Sequence, residues 1–92
     1  MNSETAQALA LNALAWIAAE EDLRGAFLAA SGASADAIAE RASDPEFLGF
    51  VLDFLLADEP ALIAFAEAND FKPDAPLRAR AALPGGDLPN WT

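Results

Sequence analysis

Apolar residues recur along this chain at intervals of three and four, and almost nowhere at intervals of two. Between Asn2 and Ala19, Leu9, Ala13, Trp16 and Ile17 recur at helical spacing, and Asn2 or Ser3 supplies an N-cap. "EED", Glu20 to Asp22, starts a second helix or bends the first, with its acids where the helix dipole is positive. Leu23, Phe27 and Ala30 then share a face as far as Gly32, a residue suited to the left-handed turn that ends helices. Ser34 caps a short third helix in "SADAIAERAS". Asp36, Glu40 and Ser43 form its wet side, Ile38 and Ala42 point inward, and Arg41 lies near that buried edge.

"DPEF" is the clearest start signal: Asp44 caps, and Pro45 takes the first helical position, where its missing N–H costs nothing. From Pro45 to about Ala57 the pattern is apolar almost all round, broken only along Glu46, Gly49, Asp53 and Ala57. Such a helix is central to a fold or lies in an oligomer interface. The face opposite that break predicts burial of Leu48, Val51, Leu52 and Leu55. Pro60 biases Glu59 away from helical conformation, so the chain is expected to break there. Leu62, Phe65 and Ala66 face the core after it, with Ile63 flanking, and Phe71 plugs a gap under the loop "NDFKPD". Asp74 is expected to cap a last helix running through Arg78 and Arg80 to about Leu83, which Pro84, Gly85 and Gly86 end.

The chain has a single valine, no tyrosine and no alternating β-branched run, so strands are not expected. The pattern predicts an all-α fold: a compact bundle of five or six short helices around the apolar helix at about 45–57, forming one domain over residues 1–92. Short linkers favour antiparallel neighbours. The closing stretch 84–92 reads as an ordered strap packed on the domain. Pro84 and Pro89 reduce the entropy lost on ordering, while Leu88 and Trp91 supply apolar area, with Trp91 returning to the first helices near Trp16.

Composition narrows this further. About a quarter of the chain is alanine, so a thin core must come from few Leu, Ile, Phe and Trp residues. The net charge of −10 repels nucleic acid phosphates and anionic membranes and suits basic partners. No nucleic acid and no membrane partner is expected, and "FLGFVLDFLLA" is too short to span a bilayer and is cut by Asp53. The absence of cysteine and the acidic, polar opening "MNSETAQ" point to a cytoplasmic protein.

Without His, Cys or Tyr, a serine–histidine–acid triad, a histidine general base and a thiolate zinc site cannot be built. The adjacent acids at Glu20–Glu21–Asp22 and Asp58–Glu59 sit at helix starts, where the dipole alone explains them. No calcium loop is present. Glu20 and Arg24 read as an i, i+4 ion pair, and "LPGGDLP" lacks the lysine and spacing of a phosphate loop. "GASADAI" has the serine of an acyl carrier site. Yet Ala33 and Ala35 stand where carriers have Asp and Leu, and Ser34 is better explained as a cap. Asp53 is either a buried, perturbed carboxylate or part of one wet helix edge. The second reading is preferred, with Gly49 letting another backbone approach. No catalytic, cofactor-binding or metal residue is assigned, and no cofactor is expected.

"ALALNALAWIA", "LRGAFLAASG", "DPEFLGFVLDFLLADEPALIAFAEA" and "RARAALPGGDLPNW" resemble a small alphaproteobacterial family known as a domain of unknown function. The resemblance spans nearly the whole chain and is most specific in "VLDFLLADE" and the closing "LPGGDLPNW". It implies a bacterial cytoplasmic protein with an all-helical fold, and it brings no activity or site residues. The residues favour a small, non-catalytic interaction or regulatory module, with a homodimer as one form. Its candidate surface is Phe50, Leu56, Leu88 and Trp91. The alternative is a carrier for a small apolar ligand held among the helices.

Overall fold

The fold is set by one helix with more apolar surface than it can expose. In a computed structural model, which describes residues 1–84, the helices are α1 (Ser3–Ala19), α2 (Glu21–Ser31), α3 (Ala35–Arg41), α4 (Pro45–Leu56), α5 (Glu59–Ala68) and α6 (Ala75–Ala81). Among the described residues there is no strand. The protein is therefore all-α, and the strap expected over 84–92, with Leu88 and Trp91, lies outside the described residues apart from Pro84.

Leu48, Val51, Leu52 and Leu55 on α4 are all completely buried, as the helical pattern predicts. Removing each such side chain from water stabilises the fold by about 1.5–3 kcal/mol. α1 supplies the main counter-surface, through Leu9, Leu14 and Ile17 and the fully buried Ala6, Ala10 and Ala13. Those alanines let neighbouring helices approach closely, as do Ala75 and Ala79 on α6. α6 packs on both α1 and α4, and α5 packs on α4. The centre is thus an α1–α4–α6 layer, with α5 on one side and α2 joined mainly to α1.

Helix ends follow local chemistry where that chemistry is truly local. Asn2, Ser34, Asp44 and Asp58 each accept a backbone N–H two or three residues ahead, at 2.7, 3.2, 3.0 and 3.2 Å. Gly32 ends α2 in the left-handed region (φ 68°). Asp70 (φ 59°) follows the end of α5 in the same region, and the Phe71 N–H then donates to the Ala66 carbonyl at 2.8 Å. This reversal turns Phe71 back onto Phe65, ring centroids 5.7 Å apart, which is how it plugs the loop.

Four expectations are corrected. The chain breaks at Asp58 and not at Glu59, which is already helical, because Pro60 takes an early position where its missing N–H is no loss. Asp74 stands at the N-cap of α6 without capping it, since its backbone is already helical (φ −86°, ψ −8°) and not extended. Arg24 does not pair with Glu20; it donates to the Ala18 carbonyl at 2.8 Å, at the negative end of α1. Ala30 is exposed and not core, because α3 does not close over it.

Val51→Asp should abolish the cooperative thermal transition seen by circular dichroism. An unpaired carboxylate at the α1–α4 contact costs several kcal/mol, against a total stability of about 5–15 kcal/mol for a domain. A melting temperature near the wild-type value would show that this face is not core.

Candidate functional site

α4 carries four features on one side: a carboxylate, a glycine, an acidic rim residue and a row of phenylalanines. Asp53 is not a buried carboxylate: its side chain is 54% exposed and accepts a two-pronged contact from Arg80. Nε reaches Oδ1 at 2.6 Å and Nη2 reaches Oδ2 at 3.2 Å, while Nη1 donates to the Pro84 carbonyl at 2.9 Å. The guanidinium lies flat over Gly49, where a Cβ would stand 2.9 Å from Nη1 and 3.1 Å from Cζ. The glycine therefore admits a side chain and not, as expected, another backbone. Arg80 clasps α6 to α4 and ties the Pro84 carbonyl to the same place.

The next strip of α4 is aromatic. Phe27 of α2 is buried among Phe47, Phe50 and Phe54, with centroid separations of 6.0, 5.6 and 5.1 Å and interplanar angles of 76°, 45° and 84°. The two near-perpendicular pairs, with Phe47 and Phe54, add about 0.5–1.5 kcal/mol each beyond area burial. Phe47 is almost wholly covered, but Phe50 is only half-buried. It borders an open cleft of about 390 Å³ between the end of α2, the end of α3 and the start of α4. Ala30, Phe47 and Phe50 form its apolar wall, and Arg41, Asp44 and Glu46 its charged rim.

The cleft exists because α3 covers so little. Its residues have no fully buried member, and only Ile38 and the following Ala42 pack against the core. Arg41, expected near the buried edge, is exposed on the rim with no side-chain partner among the described residues. Asp44 is held to the Glu46 N–H as the α4 cap, which fixes one rim carboxylate in place.

Of the candidate surface residues, Phe50 lines this cleft, whereas Leu56 is half-buried on the other flank of the Glu46–Gly49–Asp53–Ala57 edge. Six residues separate them, about 9 Å along the axis, with Arg80 seated on the edge between them. They do not form one patch. Leu88 and Trp91 lie outside the described residues. The cleft itself was missed from the sequence. Its signal was weak: an alanine-rich α3 with one large apolar residue, facing a helix with three closely spaced phenylalanines.

Chemically, the cleft offers aromatic surface and opposite charges at its mouth. Among the described residues no polar or charged residue is buried, and no group of three or more His, Cys, Asp or Glu side chains could hold a metal ion. No helix among them is long and apolar enough to cross a membrane.

Fold and site together define a small acidic helical bundle with an aromatic cleft. The chain belongs to the family described as "Protein of unknown function (DUF3572)", whose model matches residues 3–86. No curated protein and no solved structure matches it.

Gly49→Ala normally stabilises a helix by about 1 kcal/mol. Here the new methyl must push Arg80 off Asp53 and Pro84, so in the wild-type background the gain should vanish or reverse. In an Arg80→Ala background the same change should raise the melting temperature by several degrees. A double-mutant cycle without a coupling of about 1 kcal/mol would show that the clasp does not depend on Gly49.

Proposed function

We propose that this protein is a small non-catalytic interaction module that receives a partner at the α2–α3–α4 cleft. The observation carrying this reading is Phe50. It is a large aromatic side chain left half-exposed at the mouth of a cleft, beside Phe47 and flanked by charges of both signs. Interaction hot spots combine an aromatic anchor with a polar rim in this way. The lack of His, Cys and Tyr supports a non-catalytic role, and the net charge of −10 disfavours nucleic acid and anionic membranes as partners. On the resemblance of its sequence, we place the protein in the cytoplasm of an alphaproteobacterium.

A second reading is a carrier for a small apolar ligand. Its support is the cleft volume of about 390 Å³, which lies at the lower end for small-molecule sites. Native mass spectrometry of the protein isolated from its host separates the two. The module reading expects a heteromeric complex or a homodimer that Phe50→Ser dissolves, with the variant melting within a few degrees of wild type. A monomer carrying a bound small molecule or a covalent arm would replace it by the carrier reading.

A further inference from the structure

Charge is unevenly distributed along the fold. Residues 1–59 hold eleven acidic residues and two basic ones, Arg24 and Arg41. Residues 60–84 hold three of each sign. Nine of those eleven acidic residues precede Asp58, so most of the acidic excess belongs to α1–α4, and all three elements that build the cleft lie in that part of the chain. Of its two cations, Arg24 is committed to the α1 carbonyl end. At the cleft mouth two carboxylates, Asp44 and Glu46, face one guanidinium, that of Arg41.

Resting on the interaction-module reading, we propose that the α2–α3–α4 cleft takes a basic segment of a partner protein. One large aromatic or aliphatic side chain of that segment seats on Phe47 and Phe50, and its Lys or Arg residues meet Asp44 and Glu46. Charge complementarity selects this occupant over a second copy. Two copies would bring two −10 surfaces together, and an isologous contact would pair each acidic mouth with another of the same excess. It also selects against an anionic ligand, which Arg41 alone would have to hold against the surrounding acids. Steering by the acidic half accelerates encounter with a cation, and the aromatic wall supplies the part of recognition that salt does not screen.

The test is a fluorescence-anisotropy titration of the full chain with a labelled synthetic peptide, Lys-Lys-Leu-Trp-Lys-Lys-Leu. Two controls accompany it, one with every Lys replaced by Glu and one with Trp and Leu replaced by Gly. The proposal expects the first peptide to bind at least about tenfold more tightly than either control, and more weakly as salt rises. Phe50→Ser should weaken it about tenfold, and Glu46→Gln, at an exposed position, should weaken it while shifting the melting temperature by no more than a few degrees. Arg41→Gln should tighten binding severalfold, because it removes the one repelling cation at the mouth. Equal binding of the Gly-containing control would reduce the effect to diffuse attraction and overturn the proposal. So would weaker binding by Arg41→Gln, or a Phe50-dependent dimer in sedimentation that leaves no site for the peptide. A partner recovered from the host that carries no basic segment would overturn it too, while leaving the module reading intact.

Discussion

Everything in this fold answers to the need to cover α4. The helix has apolar side chains on nearly its whole circumference, and the rest of the chain has few large residues with which to surround it. α1 and α6 meet the need by proximity more than by bulk: their alanines let the helices approach closely, so that Leu48, Val51, Leu52 and Leu55 are fully buried without many large partners. α2 contributes one ring, Phe27, which serves three phenylalanines at once. What is left of α4 is a narrow strip. Arg80 covers its middle, and among the described residues nothing comparable covers its N-terminal end. The clasp and the cleft are two outcomes of the same shortage of covering material.

The clasp shows how a polar edge can still hold a helix in place. Asp53 and Gly49 lie one turn apart on α4, which sets the spacing for a flat guanidinium: the carboxylate takes two of its N–H groups and the glycine makes room for its plane. Lysine could not do this, since it offers a point charge without a fork. The contact is half in water, so its contribution to stability is modest. Its geometric effect is larger, because it orients α6 and anchors the Pro84 carbonyl over the same helix.

Legibility in the sequence followed the range of each interaction. Asn2, Ser34 and Asp44 were readable as caps, because a cap is completed within three residues. The α4 face of three leucines and one valine was readable because periodicity alone defines it. Arg24 and Arg80 were not readable, since their partners lie six and twenty-seven residues away and depend on how helices pack. Asp74 misled for the opposite reason: the right residue stands at the right position, and the preceding turn has already given it a helical backbone. Phe50 was picked out from its place beside the polar edge, but the cleft it lines was not. A cleft is a statement about what fails to pack, and no local pattern records it.

That failure to pack has a specific cause in α3. Of its seven residues three are alanine and only Ile38 is a large apolar side chain, so the gain from pressing it harder onto α2 and α4 is small. Closing the cleft would also bring Arg41 toward the apolar wall and take Asp44 and Glu46 out of water, and burying charges that are not well paired costs more than the Phe50 surface would return. Among the described residues the open arrangement is therefore the stable one. A partner changes the balance only if it brings both missing ingredients together: apolar bulk to cover Phe50, and opposite charge to remain at the rim where water now solvates the carboxylates.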